Sequence, residues 1–235
     1  MSNYPVGIYL GPNDSSVAIW ENNRLEIIPN EINKHTTPSV VSFTKNKRLV
    51  GVAAKRIKTS NPKNTIYGIR EIIGKKYDDL NVHKFIKKVP FKIVKDSKTE
   101  KPKIIVEYRG ETKSYYPEEI YAMIIEQLIQ LAREFIGRSD IKEAIITVPS
   151  YYNYTQRQAI KYSAKICGLN VLKIVNEEIA VCYTYGLHNE KKKMNILVFN
   201  MRSNETNVSI VNLNYSIFKI NGTIRDDNLG GNLFD

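Results

Sequence analysis

The chain has 235 residues, of which 42% are hydrophobic and 25% charged, a composition that favours a globular protein with one large core or two small ones. It contains no run of the roughly 20 apolar residues that a membrane span needs, and its start lacks the basic segment of a signal peptide. We therefore expect a cytoplasmic protein without a membrane span. Cys167 and Cys182 do not form a disulfide framework and are expected to be reduced core residues.

The net charge of +11 is the unusual bulk property of this sequence. Much of the excess is local, since residues 86–103 hold seven lysines against two acids, and residues 190–193 read EKKK. Two interpretations stay open. The lysines form either a solvated surface or a surface that contacts a polyanion, such as RNA or a ribosome, through its phosphate groups.

The first half of the chain predicts short elements separated by turns. Strands are predicted at residues 6–10, 17–20, 25–28 and 40–43, short helices at 52–58 and 65–73, and a hairpin at 104–115.

The second half predicts helices that alternate with strands. Its clearest helix covers residues 117–137, where Pro117 takes the first position, an apolar stripe follows, and Gly137 ends the pattern. The later elements are a strand at 144–148, a helix at 153–167, a strand at 171–175, a helix at 177–185, a hairpin from 196 and a strand at 217–221. This order favours an α/β fold in which helices cover a mixed sheet.

A polar turn, NMRSNET at residues 200–206, separates the two strands of the predicted hairpin. Many ATPases bind phosphate at such a turn, where glycines let backbone N–H groups approach the phosphates and an aspartate serves the metal. This turn contains neither glycine nor aspartate. It is therefore either an ordinary hairpin or a nucleotide site that has lost its chemistry.

Seven collinear stretches resemble the ATPase domain of the seventy-kilodalton heat-shock chaperones of the DnaK type. They are VGIYLG at 6–11, RLEIIPNEINKHTTPSVVSF at 24–43, NPKNTI at 61–66, IIGKKYDD at 72–79, TVPSYYNYTQRQA at 147–159, GLNVLKIVNEE at 168–178 and LGGNLFD at 229–235. The resemblance covers the whole chain but only the front part of the family's nucleotide-binding domain. It implies an actin-like ATPase fold of the α/β class, related to ribonuclease H. A complete first lobe is expected at 1–186, with an inserted subdomain around 40–115, and a second lobe that is only begun, and truncated, at 187–235.

The resemblance places the family's first phosphate loop at residues 9–13. Gly11 keeps its role and Asn13 stands at a phosphate-binding position, but Tyr9 replaces an aspartate and Pro12 donates no N–H. The family's catalytic lysine corresponds to Arg70, whose planar guanidinium is not equivalent to an ammonium group. The alternative for Arg70 is a surface arginine on an amphipathic helix.

The second phosphate loop corresponds to residues 200–207. Asn200, at a catalytic position, and Asn207 replace two aspartates. The three family glycines become Arg202, Ser203 and Asn204, which the resemblance places at nucleotide-binding positions. The resemblance thus implies that charge for Mg²⁺ is lost and that close backbone approach is blocked. With Tyr9 also changed, none of these positions is assigned as a metal ligand, and the turn at 200–206 is interpreted as a nucleotide site that has lost its chemistry.

Other positions keep the family residue. Glu177 matches the glutamate that orients metal-bound water, although two acids at the start of a helix also fit the helix dipole. Pro149 and Arg157 match the pair that relays nucleotide state between domains, although Pro149 equally fits a turn at a strand end. Gly230 and Gly231 match the glycine pair that lets the backbone pass close to the nucleotide.

Three functions stay open on this basis. The first is a pseudo-ATPase that acts as a scaffold or cochaperone in protein folding, with a ribosome-associated version. It would bind ATP or ADP with Mg²⁺ weakly, and its partners would be a J-domain cochaperone, the ribosome or nascent chains. The second is an active ATPase in which Asp14, Arg70 and Glu205 replace the lost groups. The third is a basic protein that reuses the fold to bind RNA or a membrane surface.

Overall fold

The computed structural model describes residues 5–21, 23–137, 140–202 and 205–233. The strands β1–β15 are, in chain order, Val6–Leu10, Asp14–Glu21, Arg24–Ile27, Thr37–Pro38, Val41–Phe43, Arg48–Val50, Thr65–Ile66, Lys92–Lys95, Pro102–Tyr108, Glu111–Tyr115, Glu143–Val148, Asn170–Asn176, Lys193–Met201, Thr206–Asn214 and Ile217–Asp226. The helices α1–α5 are Val52–Arg56, Leu80–Ile86, Pro117–Ile136, Tyr154–Ile166 and Glu177–Thr184. Short 3₁₀ turns lie at Pro62–Asn64, Ile69–Glu71, Leu187–Asn189 and Gly231–Leu233. Several sheets mixed with helices confirm the predicted α/β class.

The chain forms two compact units. The first comprises the described residues up to 146 together with Asn153–Ile174, and the second comprises Thr147–Tyr152 and the described residues from 175 onward. The lobe boundary that the sequence predicts between residues 186 and 187 stays a prediction. Among the described residues, no helix combines the length and the apolar character that a membrane crossing requires.

The main sheet of the first unit has the strand order β12-β11-β1-β2-β3, and β4 pairs with β2. β1 and β2 form an antiparallel pair in which Tyr9 lies opposite Ser16. Every second side chain of β1 is buried, namely Val6, Ile8 and Leu10, as expected for a strand with one face on the core. The pairing places the turn at residues 11–13 directly after β1.

Helix α3 is the longest helix among the described residues and begins and ends as predicted. Pro117 occupies its first turn, and the Tyr116 backbone N–H donates to the Glu119 carboxylate over 2.7 Å, which satisfies one N–H group near the helix start. Gly137 ends the helix with a φ of 66°, a conformation that costs glycine little. Ile120, Ile124 and Leu128 on its inner face are fully buried. The helix therefore carries much of the core of the first unit.

Two smaller antiparallel sheets complete the first unit, with the strand orders β10-β9-β8 and β6-β5-β7. The helix predicted at 65–73 is wrong. Thr65 instead pairs with Ser42 in β5, where their hydroxyl groups lie 2.8 Å apart, and Gly68, with a φ of 67°, separates β7 from a 3₁₀ turn. A β-branched residue followed by a left-handed glycine disfavours a continuous helix. The lysine-rich stretch, for which no element was predicted, contains β8 and the end of α2.

The second unit contains the antiparallel sheet β13-β14-β15 and helix α5. Cys182 of α5 packs with Val198 and Val211 on one face of the sheet, and all three are buried. Both cysteines are free thiols, as expected, but only Cys182 is a buried core residue, whereas Cys167 is half-buried. The other face of the sheet leaves large apolar side chains exposed, among them Leu197, Phe199, Met201, Ile210 and Ile224.

Candidate functional site

The side chains of Tyr9 and Ser39 pack against the turn after β1. A Cβ atom built on Gly11 would lie 2.8 and 2.9 Å from ring and hydroxyl atoms of Tyr9, so the tyrosine ring lies against the glycine backbone. Ser39 fixes the turn from the other side: its hydroxyl donates to the Gly11 carbonyl over 3.0 Å, and its N–H donates to the Asn13 carbonyl over 2.7 Å. An aromatic ring thus stands where the family resemblance leads one to expect a carboxylate.

Arg70 lies beside this turn, within the first unit. Arg70 is buried, with 3% of its surface exposed. Its Nη1 atom donates a hydrogen bond to the Leu10 carbonyl over 3.3 Å. Gly68 starts the short 3₁₀ turn that carries the arginine. The alternative of a surface arginine on an amphipathic helix is therefore wrong. The structure brings Arg70 and the loop at 9–13 together, and the catalytic role assigned to Arg70 stays a prediction.

In the second unit, a buried group of charged residues surrounds the second loop. Arg202 bonds with one guanidinium nitrogen to Glu177 and with another to Glu205. The side chains of Arg202, Glu177 and Glu205 are 10%, 7% and 5% exposed, so these ion pairs are largely removed from water. We call Glu177, Arg202, Glu205 and Arg225 the arginine–glutamate cluster.

Arg225 and Tyr151 also contact Glu205. The Arg225 guanidinium contacts the second carboxylate oxygen of Glu205 at 2.9 Å, and the Tyr151 hydroxyl donates to the same oxygen over 3.3 Å. The guanidinium also lies 4.4 Å from the centre of the Tyr151 ring, a cation–π contact. Sequence reasoning missed both residues, because only the fold brings β15 and the segment after β11 to this carboxylate.

Backbone hydrogen bonds hold the loop against the C-terminal turn. The Arg202 N–H donates to the Glu205 carbonyl over 2.8 Å, and the Gly231 N–H donates to the Arg202 carbonyl over 2.7 Å. Gly230 is buried next to this contact. Two residues predicted to bind nucleotide, Arg202 and Gly231, are therefore neighbours in the second unit. Ser203 and Asn204 lie outside the described residues.

The two asparagines that replace family aspartates lie opposite each other on β13 and β14. Asn207 is 3% exposed, and its Oδ1 atom is buried without a hydrogen-bond partner in the part of the chain that the structure describes. Asn200 is half-buried. These side chains bring neutral amide oxygens to positions where the family has two negative charges.

A row of hydroxyl groups ends on Glu178, the residue after the cluster's Glu177. The Ser150 hydroxyl donates to the Glu178 carboxylate over 2.9 Å and lies 2.9 Å from the Thr223 hydroxyl. The Thr223 hydroxyl lies in turn 2.8 Å from that of Ser209. Glu178 and Ser209 are 5% and 1% exposed, so this row is an internal polar contact that joins α5, β14, β15 and the segment after β11.

The remaining predicted residues belong to different units. Pro149 follows β11 in the second unit, and its carbonyl accepts from the Tyr152 N–H over 3.1 Å, as in a turn. Arg157 lies on α4 in the first unit. Their role in signalling between domains stays a prediction. Over residues 5–21, 23–137, 140–202 and 205–233, no group of three or more His, Cys, Asp or Glu side chains is arranged to hold a metal ion.

Comparison with known proteins identifies the family to which this chain is similar. The family model described as "Hsp70 protein" matches residues 5–235. "Putative heat shock 70 kDa protein 7" of Homo sapiens is 41% identical over 231 residues, which is 98% of this chain and 62% of that protein. "Heat shock 70 kDa protein" of Emericella nidulans is 41% identical over 231 residues, 98% of this chain and 35% of that protein. "Heat shock cognate 70 kDa protein 3" of Dictyostelium discoideum is 38% identical over 233 residues, 98% of this chain and 37% of that protein.

This chain thus covers between about a third and three-fifths of the relatives it matches. The match runs through both units, including the loop after β1, the residues of the arginine–glutamate cluster and the final glycine pair. It is accompanied by a mixed α/β architecture with several sheets, consistent with the N-terminal portion of an actin-like ATPase domain. With an Hsp70 model matched from residue 5 to residue 235, the chain belongs to the Hsp70 family.

Proposed function

We propose that this chain is a divergent Hsp70 nucleotide-binding domain that does not hydrolyse ATP and acts as a scaffold or cochaperone in protein folding. The observation that carries the proposal is the Arg202 guanidinium, bonded to both Glu177 and Glu205. Phosphoryl transfer depends on precisely placed charge around the metal and the phosphates. A glutamate that already holds an arginine is poorly available to order the water shell of Mg²⁺.

The residues of both loops fit a Mg²⁺–nucleotide poorly. In the first loop, the Tyr9 ring lies against the Gly11 backbone, which a phosphate would need to approach. In the second loop, Asn200 and Asn207 offer neutral oxygens where Mg²⁺ favours carboxylates. Weakened binding of ATP and ADP follows from these substitutions. We derive no catalytic step through the nucleotide.

Labelled ATP tests the proposal directly. We expect turnover by the chain to equal background, with and without Mg²⁺. A variant that combines Tyr9→Asp and Asn200→Asp with glycine at positions 202–204 should gain Mg²⁺-dependent nucleotide binding, because charge and backbone access are restored together. Asn195→Asp is the matched control, since it adds one carboxylate to the exposed face of the same strand as Asn200. Hydrolysis by the unmodified chain that Glu177→Ala abolishes would show a working site.

That last outcome would favour the second candidate, an active ATPase with substituted groups. One observation supports it: Arg70 is buried beside the first loop and keeps the positive charge of the family lysine. Against it stands Glu205, whose carboxylate is bonded to Arg202 and Arg225 and receives a hydrogen bond from Tyr151. We therefore retain the scaffold as the better-supported function, with a J-domain cochaperone, nascent chains or the ribosome as partners and the cytoplasm as its location.

The ribosomal version depends on which lysines of residues 86–103 are available to a polyanion. Three of them contact acids of the same unit: Lys95 bonds to Asp78, Lys101 contacts Glu118 at 2.8 Å, and Lys103 contacts Asp96 at 3.0 Å. The other four, Lys87, Lys88, Lys92 and Lys98, are exposed, and the first three of them lie in the turn after α2 and on β8. If the segment binds phosphate groups, the second set should carry the contact.

Salt-dependent cosedimentation with ribosomes compares these two sets of lysines. Replacing Lys87, Lys88 and Lys92 by glutamine should weaken binding and reduce the slope of log affinity against log salt by roughly 0.7–0.9 for each phosphate group that is no longer neutralised. The matched control replaces Lys95, Lys101 and Lys103 and should change the slope less, because those charges are already partly neutralised. Equal effects of the two triple variants would contradict this division of the lysines. No binding by the parent at low salt would leave only the solvated-surface interpretation.

A further inference from the structure

In the arginine–glutamate cluster, the positively charged guanidinium of Arg202 lies between two buried carboxylates. The guanidinium of Arg202 reaches Glu177 at the start of α5 and Glu205 just before β14, positions 25 and 3 residues away along the chain. A guanidinium has donors on separate nitrogens of one rigid plane, so it can bond two carboxylates at once, whereas an ammonium group is a single point charge.

Within the four residues of the cluster, the formal charges balance only while Arg202 is present. Glu177 and Glu205 bring two negative charges, and Arg202 and Arg225 bring two positive charges. Arg225 contacts Glu205 and also the exposed Asp227, so its charge is shared with a further acid. Without Arg202, the Glu177 carboxylate would lose the positive charge that it contacts, although its side chain is only 7% exposed to water. Burial of a carboxylate without its counter-charge is costly.

We propose that Glu177 and Glu205 form a cation-binding site that the chain fills with its own Arg202. The second unit is then stabilised by a tethered guanidinium instead of an ion or ligand taken from solution. The backbone of Arg202 takes part in the same arrangement, since its carbonyl accepts from Gly231 and its N–H donates to Glu205. Through one residue the cluster joins α5, the loop before β14 and the C-terminal turn.

This inference rests on the proposed function only for locating the cluster in the second phosphate loop, and it makes a separate prediction. Removing the side chain while keeping both carboxylates should leave an empty site of guanidinium size and charge. Free guanidinium, at concentrations far below those that denature proteins, should enter it. Such rescue would not occur if Arg202 stabilised the fold only by apolar packing of its side chain.

The test is thermal unfolding of the full chain and of Arg202→Ala, each in about 50 mM guanidinium chloride and in sodium chloride of the same ionic strength. Breaking a buried ion pair in a chain of this size should lower the midpoint of unfolding by roughly 10 °C. Guanidinium should recover part of that decrease in Arg202→Ala and should not raise the midpoint of the parent. Arg202→Lys should lie between the two, because one ammonium group replaces only part of the fork.

Two further variants serve as controls. Arg48→Ala removes an arginine from a solvent-exposed pair with Glu126 and should shift the midpoint by only about 1–2 °C, without rescue. Arg202→Ala/Glu177→Gln removes one charge of each sign, so it should be more stable than Arg202→Ala and insensitive to guanidinium.

The inference is overturned if Arg202→Ala melts like Arg48→Ala, or if guanidinium changes the midpoints of Arg202→Ala and of the parent equally. If Arg202→Ala does not fold, the charge-balanced double variant must fold, and its failure also overturns the inference. ATP hydrolysis by the parent would contradict the proposed function but would leave guanidinium rescue unaffected. Absence of rescue contradicts the tethered cation even in a protein without ATPase activity.

Discussion

Gly11→Ala should destabilise the protein more than its small change in volume suggests. The added Cβ would lie 2.2 Å from the Asp14 carbonyl oxygen, whereas ordinary contact begins near 3.4 Å. The obstacle is backbone, and two hydrogen bonds from Ser39 hold the same turn, so the clash cannot be relieved by rotating a side chain. Overpacking of this kind costs about 1–3 kcal/mol, and the rigid partner favours the upper end, about 3 kcal/mol.

Thermal and urea unfolding measure this destabilisation. For a domain of this size, about 3 kcal/mol corresponds to a fall of roughly 6–12 °C in Tm. Gly7→Ala is the matched control on the same strand, because its Cβ would meet only the Ala18 carbonyl oxygen at 3.8 Å. That variant should be neutral or gain up to about 0.5–1 kcal/mol through the reduced freedom of the unfolded chain.

A Gly11→Ala variant as stable as Gly7→Ala would refute the described geometry of the turn. A second comparison separates the two obstacles at this position. In a Tyr9→Ala background the ring is gone and the Asp14 carbonyl remains, so most of the destabilisation caused by Gly11→Ala should persist. If the destabilisation disappears there, the tyrosine ring is the main obstacle and the argument from the backbone is wrong.

Two further predictions concern titratable groups in the first unit. Hydrogen bonds from Thr99, and then from Lys103, hold the pKa of Asp96 well below its ordinary 3.8. The folded state therefore favours the charged form, so this stabilisation is present above about pH 3.8 and is lost as the pH falls further. Asp96→Asn should lower Tm at pH 7 and flatten its decline below pH 4, and an unchanged acid limb would contradict the assignment. Burial raises the pKa of Cys167 to about 11 and also raises the pKa of Cys182. Iodoacetamide at pH 8 should therefore label both thiols slowly in the folded protein and readily after unfolding, as measured by intact mass. Rapid labelling of Cys167 at pH 7 would contradict this prediction.

Regular local patterns were predictable from the sequence, and irregular ones were not. The apolar stripe, the initial proline and the final glycine predicted helix α3 to within a residue, because a long amphipathic helix carries its own period and caps. The helix predicted at residues 65–73 was wrong because the pairing of Thr65 with Ser42 is a tertiary contact that outweighs the local preference for a helix. No strand was predicted around β8, because the many lysines of this stretch interrupt the apolar pattern to which the buried Phe91 and Ile93 belong.

The candidate site shows the same limit. The resemblance identified the altered loops and therefore Glu177 and Arg202, but it placed Arg202 at a nucleotide-binding position where its side chain blocks backbone approach, and it predicted no ion pair for it. Its ion pairs with Glu177 and Glu205 depend on bringing α5 and β14 together, which no local pattern encodes. Arg225 was also missed, since it contacts Glu205 only once β15 pairs with β14.

The row of hydroxyl groups that ends on Glu178 has a direction. Each hydroxyl has one hydrogen to donate, and Ser150 gives its hydrogen to the Glu178 carboxylate. Thr223 must therefore donate to Ser150, and Ser209 must donate to Thr223, so that every hydrogen in the row points toward α5. A carboxylate only accepts, whereas a glutamine also donates, so Glu178→Gln would permit the opposite orientation throughout. One negative charge on α5 thus sets the orientation of a hydroxyl on β14, three hydrogen bonds away.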